Sequence, residues 1–267
     1  MTLQQAAYVG SKTGMSTPWM SAGVQIGQRA ALVARDFDKA VNIHLADTTE
    51  KREDACALIN RRYAWRGYGN HHTLPSHRGC ATFAASDETG TLGTVTLVVD
   101  SEARLAADRI FPDALDSYRN TPERKICELS RLAFESGLPS KPLLAALFHI
   151  VFIYGYHHHR CTDLFIEVNP RHRRFYEAML GFKSVGAVRT NMGVGAPSQL
   201  MWLEIATIRR RMLEAQWDIA SGPSRSLYAL FFSDDDAATL AETLTADKTP
   251  AEFCQNGPMV RIFVPEG

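Results

Sequence analysis

The chain has 267 residues, 45% of them hydrophobic, and its 29 Lys and Arg balance 29 Asp and Glu to a net charge of +0. That apolar content sustains a packed core and argues against a disordered chain, and the charge balance leaves no global drive toward nucleic acid or an anionic membrane. The longest apolar run, Leu143 to Tyr156, falls short of the roughly 20 residues that a membrane-spanning helix needs, so no transmembrane segment is predicted.

Residues 1–35 are rich in Gly, Ser, Thr and Gln without a sustained period and are expected to form a flexible arm. VNIHLA, Val41 to Ala46, reads as a first strand. Asp47 or Thr48 then caps a helix from Glu50 to Trp65 that carries Cys56, Ile59 and Tyr63 inward. The following loop holds His71, His72 and His77 with no Cys or carboxylate at ligand spacing, so no metal site is expected there. ATFAAS and TLGTVTLVVD, joined by the turn DETG, predict a hairpin whose second strand is rich in Val and Thr. Next comes a polar, partly helical excursion in which Leu105, Ile110, Phe111, Leu115 and Tyr118 are spaced to fold over a site.

The stretch RKICELSRLAFE, Arg124 to Glu135, contains a conflict. Ile126, Leu129, Leu132 and Phe134 predict a central strand, yet Glu128, Ser130 and Arg131 stand where a buried strand is ordinarily apolar. Buried charges persist when paired or used, so the triplet points to a site or to a Glu128–Arg131 ion pair bracing the sheet. Residues three apart on a regular strand face opposite ways. Glu128 and Arg131 therefore share one site only if a bulge falls near Ser130.

Lys141 to Tyr156 predicts a helix buried on most sides, closed by His157 to Arg160 at its C-terminal dipole. TDLFIEVNP is a strand and RHRRFYEAML a short helix, and GFKSVGAVRT and SQLMWLEIA form a last hairpin that completes the sheet. From Thr207 the pattern changes to an amphipathic helix, the apolar segment SLYALFF read as a short strand or packing segment, a helix started by Asp234 or Asp235, and the strand MVRIFV. The predicted organisation is an arm at 1–35, a main domain at 36–206 and an extension at 207–267 packed on the core. Five dispersed cysteines, Cys56, Cys80, Cys127, Cys161 and Cys254, lack paired spacing, and no charged-then-apolar leader opens the chain, which together fit a cytoplasmic protein.

Two segments carry a family resemblance. CELSRLAF resembles the Glu-Leu-Ser-Arg strand of the acyl-homoserine-lactone autoinducer synthases, and NPRHRRFYEAMLGF resembles the late helix and Gly-Phe turn of GCN5-related N-acyltransferases (GNAT). From about Ala40 to Ile205 the chain most resembles the long-chain N-acyl amino acid synthases. The resemblance implies an α/β (α+β) fold of the GNAT type, a mixed central sheet flanked by helices, with the C-terminal part as an α/β appendage. It implies transfer of a medium or long fatty acyl chain from acyl carrier protein to the α-amine of an amino acid, with acyl-phosphopantetheine as a substrate and no cofactor or metal. Gly137 to Pro142 stands where common acetyltransferases carry a Gly-rich pyrophosphate loop. Its prolines remove N–H donors, which suits the single phosphate of phosphopantetheine better than coenzyme A.

In that frame Glu128 is the base or amine-orienting carboxylate, Arg131 meets the acceptor's carboxylate or Glu128 itself, and Ser130 lies between them. The backbone of Leu132, Ala133 and Phe134 is expected to hold the thioester and pantetheine arm. Tyr63, Trp65 and Tyr68 line an acyl pocket or are ordinary core and rim aromatics. Arg171, Arg173 and Arg174 meet a carrier protein or its phosphate, or form a solvated helix end. Tyr176 resembles the general acid of many acetyltransferases, although four residues separate it from Gly181 where that family has three, so packing is an equal alternative. The competing functions are an autoinducer synthase, opposed by the lack of aspartates in the loop after Tyr68, a coenzyme A-dependent acetyltransferase, and a non-catalytic acyl- or carrier-protein-binding module.

Overall fold

A computed structural model describes residues 24–25, 39–135, 141–218, 226–245 and 259–264. Most of the arm, residues 136–140 of the phosphate-loop segment, and Cys254 lie outside the described residues. The first strands are β1 (Val24–Gln25), β2 (Lys39–Leu45), β3 (Cys80–Asp87), β4 (Gly90–Val99) and β5 (Ile126–Phe134). They are followed by β6 (Asp163–Val168), β7 (Lys183–Asn191), β8 (Ala196–Glu204) and β9 (Met259–Val264). Helices are α1 (Thr49–Trp65), α2 (Pro112–Arg119), α3 (Lys141–Ile153), α4 (Arg173–Leu180), α5 (Ala206–Asp218) and α6 (Asp234–Thr245). The strands make one mixed sheet of order β1-β9-β2-β3-β4-β5-β6-β8-β7, in which the β5–β6 and β1–β9 contacts are parallel.

Local signals account for the elements around the site. The Thr48 side chain accepts from Lys51 N–H at 3.3 Å and starts α1, whose Ala55, Leu58 and Ile59 are buried against the sheet. Every residue of α3 from Leu143 to Ile153 is buried, as an all-apolar helix must be. One side packs on the sheet. The other is covered by the C-terminal segment: Phe232 N–H donates to His149 Nδ1 at 2.9 Å, and the His149 ring stacks on Phe231 at 4.4 Å. Burial pushes the pKa of His149 down to about 3, so the ring stays neutral and keeps that acceptor.

Of the two readings of SLYALFF the apolar packing segment holds, and one expectation for the sheet is corrected. SLYALFF contains a 3-10 turn, Leu227–Leu230, rather than a strand, because the Ser226 side chain accepts from Tyr228 N–H at 3.2 Å and closes the backbone locally. The β7–β8 hairpin does not complete the sheet. β9 pairs antiparallel with β2 from Lys39↔Val264 to His44↔Met259, which satisfies an edge that would otherwise carry unpaired backbone groups.

Gly181 ends α4 at φ +72, and a Cβ there would lie 1.9 Å from the Arg211 guanidinium. Gly181→Ala is therefore expected to lower unfolding free energy by about 1 kcal/mol or more, from the left-handed backbone alone, since Arg211 can swing away. A shift in the urea midpoint at constant slope is the check.

Candidate active site

The site forms where the central strands separate. β5 and β6 pair in parallel from Ile126↔Asp163 to Leu129↔Ile166 and then part, although β5 continues to Phe134. On the other side β5 stays with β4, but Thr96↔Ser130 is followed by Thr94↔Ala133, so β5 holds one extra residue there. This is the bulge required near Ser130. It is centred on Arg131, whose φ of +52 is rare for a residue with a side chain. Past the bulge Glu135 N–H donates to Leu92 O at 2.8 Å on the β4 side, so strand alternation turns the N–H groups of Leu132 and Phe134 toward the side that β6 has left.

Glu128 is 2% exposed, on the sheet face opposite α3, in the rung shared with Phe165. The excursion after β4 folds over it as expected: Leu105, Ala107, Phe111 and Leu115 are buried against Ile126 and Phe165, and Ala107 N–H donates to Glu128 Oε2 at 3.2 Å. Arg119 fastens this cover, reaching Asp100 at 2.6 Å and Asp108 at 2.9 Å, and Arg189 on β7 clamps it through Asp113 at 2.6 Å. Desolvation is the largest influence on Glu128 and pushes its carboxyl up to about 7; the neighbouring Glu167 adds to the rise, while Ala107 N–H and Arg131 oppose it. A carboxylate so placed is half ionised near neutrality, as a proton-accepting group requires.

Glu128 and Arg131 do not form the bracing ion pair. Arg131 Nε donates to Thr73 O at 2.9 Å and Nη1 to Ser130 Oγ at 3.1 Å, and among the described residues no carboxylate pairs with it. Among the described residues its remaining donors have no partner, and its charge acts on Glu128. Ser130 thus orients Arg131. Glu167 on β6 was not singled out in the sequence, and it joins the cleft with Oε1 accepting from Asn191 Nδ2 and Ser198 Oγ, each at 2.6 Å.

The aromatic residues divide. Tyr63 meets Tyr68 edge-on at 6.2 Å and His72 at 4.7 Å, and it packs with the cluster that holds Ala133 of β5. Burial pushes its phenol up to about 12, with the charges of Arg131 and Arg66 acting in the other direction. Trp65 is 73% exposed beneath the Arg62 guanidinium and does not join Tyr63 and Tyr68. Two residues along a helix are about 200° apart, so Tyr63 and Trp65 occupy opposite sides of α1. Tyr176 packs edge-on against Phe148, Phe175 and Phe182 at 6.5, 5.2 and 6.0 Å, and burial pushes its phenol up to about 12.

Arg171, Arg173 and Arg174 are exposed around the start of α4, where the Asn169 side chain caps a 3-10 turn at Pro170–His172. Arg173 is partly engaged by Glu177 at 3.3 Å. Arg66, at the end of α1, belongs to the same basic rim, because it and Arg171 both depress His172 after the larger effect of burial. Among the described residues no group of three His, Cys, Asp or Glu could hold a metal ion. No described helix is long and apolar enough to cross a membrane.

The family described as N-acyl amino acid synthase FeeM matches residues 54–204, more than half of the chain. Curated protein sequences give no match. Among solved structures, FeeM, an N-acyl amino acid synthase from uncultured soil microbes, superposes with a TM-score of 0.58 at 22% identity, over 67% of this chain and 100% of that one. The AHL synthase LasI has a TM-score of 0.48 at 15% identity, over 63% of this chain and 91% of its own. The coenzyme A-dependent acyl-homoserine lactone synthase BjaI has a TM-score of 0.46 at 17% identity, over 76% and 99%. The FeeM superposition shows that the fold is the GNAT-like acyltransferase fold expected from the sequence.

Proposed function

The chain belongs to the N-acyl amino acid synthase FeeM family and is an N-acyltransferase, and from that premise we propose that it moves a medium or long acyl chain from acyl carrier protein to the α-amine of an amino acid. The observation that carries this reading is the buried Glu128 beside the point where β5 and β6 part. A pantetheine arm entering that gap adds to the free side of β5 as a further strand, and the N–H groups of Leu132 and Phe134 receive the thioester oxygen. The amine nitrogen attacks the carbonyl carbon, the C–N bond forms as Glu128 takes the proton the nitrogen sheds, and the C–S bond breaks to release a thiolate, which takes a proton from water while Glu128 returns its own to solvent. Arg131, which pairs with no carboxylate among the described residues, receives the acceptor's carboxylate.

Tyr63 and Tyr68 border the acyl chain. Arg66, Arg171 and Arg174 offer an exposed basic rim suited to the acidic surface of a carrier protein, on the side of the sheet where the strands open. The test is to incubate the full-length chain with acyl carrier proteins of graded acyl length and a mixture of the common amino acids, and to analyse the products by mass spectrometry. N-acyl amino acids are the expected product. Thioester consumption without an amide, or amide formed only from acyl-coenzyme A, overturns the reading.

A further inference from the structure

In the transfer step as described, Glu167 has no task, yet it is held with care. Its Oε1 accepts from Asn191 Nδ2 and Ser198 Oγ, and the Asn191 amide is itself fixed because its Oδ1 accepts from Gly193 N–H at 2.9 Å. Among the described residues Oε2 accepts no hydrogen bond and Glu167 enters no ion pair. The side chain is half-buried, on the same sheet face as Glu128 and Phe165, two rungs further toward the gap. Its charge acts on both Glu128 and Tyr63, so it faces the cleft rather than bulk solvent.

The cleft therefore holds one carboxylate oxygen, Glu167 Oε2, that has no hydrogen bond or ion pair among the described residues, beside the proton-accepting Glu128. An acceptor with a neutral side chain leaves that half-buried oxygen without a partner. An acceptor with a cationic side chain supplies one. We infer that Glu167 selects the acceptor, and that the acceptor is an amino acid with a cationic side chain of the arginine or lysine class. The side-chain cation sits on Glu167 Oε2 while the α-carboxylate meets Arg131 and the α-amine meets Glu128. Three charged groups on two neighbouring strands thereby fix three substituents of one Cα. The inference rests on the proposed reading of the cleft as the acceptor site.

Arginine and citrulline have nearly the same shape and differ in charge, which makes them the deciding pair. The kcat/KM ratio of arginine to citrulline is measured with one acyl carrier protein donor for the wild-type chain and for Glu167→Gln. The rise in melting temperature produced by each amino acid alone gives a readout independent of turnover. A ratio of ~10–100 in the wild type, falling toward one in Glu167→Gln, is the expected result, since a charge-assisted contact is exchanged for a neutral one. The larger thermal shift with arginine should disappear in parallel. A carboxylate that only braced the β6–β8 contact would lower stability in Glu167→Gln and leave the ratio unchanged. That outcome, or equal use of both amino acids by the wild type, overturns the assignment. Acylation of neutral amino acids alone would keep the synthase reading and reject this one, whereas no acylation of any amino acid would reject both.

Discussion

Glu128→Gln is expected to lower kcat/KM by ~10²–10⁴-fold and at the same time to make the protein melt higher than the wild type above pH 7. The amide is nearly isosteric with the carboxyl group and can still accept the 3.2 Å bond from Ala107 N–H, so the cover over the strand stays in place. It cannot take up a proton. The stability effect follows from burial: the carboxyl pKa is about 7 in the folded chain against the 4.5 of a free glutamate side chain, so the folded state binds this proton more tightly than the unfolded state does. Its contribution is complete below the lower value, is lost as pH rises through the higher one, and amounts to roughly 3 kcal/mol at alkaline pH. Glutamine has no such loss. Calorimetry should therefore show similar melting at pH 4 and a gap of several degrees at pH 8. The rate of the wild type should rise through pH 7 as Glu128 ionises, a limb that the variant lacks. A variant within threefold of wild-type activity, or one that melts lower at both pH values, would remove Glu128 from the reaction.

The parts of this site that were legible in the sequence are those set by local geometry. Glu128 and Arg131 lie three apart on a strand, so a shared cleft demanded an extra residue, and the bulge occurs at Arg131. The apolar spacing of Leu105, Phe111 and Leu115 marked a cover, and those side chains are buried. The parts that escaped depend on pairing between distant segments. Asn191 and Ser198 reach Glu167 only because β8 lies between β6 and β7, an order that no local pattern announces. MVRIFV reads as a strand, but nothing in it specifies β2 as its neighbour. Glu167 itself was accessible to the rule that found Glu128, a charge at an alternating position of an apolar strand, TDLFIEV. Trp65 was placed with Tyr63 by the family resemblance, where helical periodicity separates them.

Arg131→Gly should separate the two properties that meet in this residue, its backbone and its charge. The variant is expected to raise the acceptor KM by ~10–100-fold with a smaller change in kcat, because it removes the cation proposed to hold the acceptor's carboxylate but leaves Glu128 and the backbone of Leu132 to Phe134 in place. Its stability should stay within about 1 kcal/mol of the wild type, since glycine relieves the cost of the +52 φ while the bonds to Thr73 O and Ser130 Oγ are lost, and these effects are of similar size and opposite sign. Arg131→Ala loses the same contacts and keeps the strained backbone. It should show the same KM but unfold about 1 kcal/mol more easily than Arg131→Gly. Equal stability of the two variants would mean that the bulge relaxes when the guanidinium goes, so that the Thr73 and Ser130 contacts hold the backbone in its left-handed turn. An unchanged KM in both would place the acceptor's carboxylate elsewhere, on the Arg66 and Arg171 rim, and would turn the substrate around relative to Glu128.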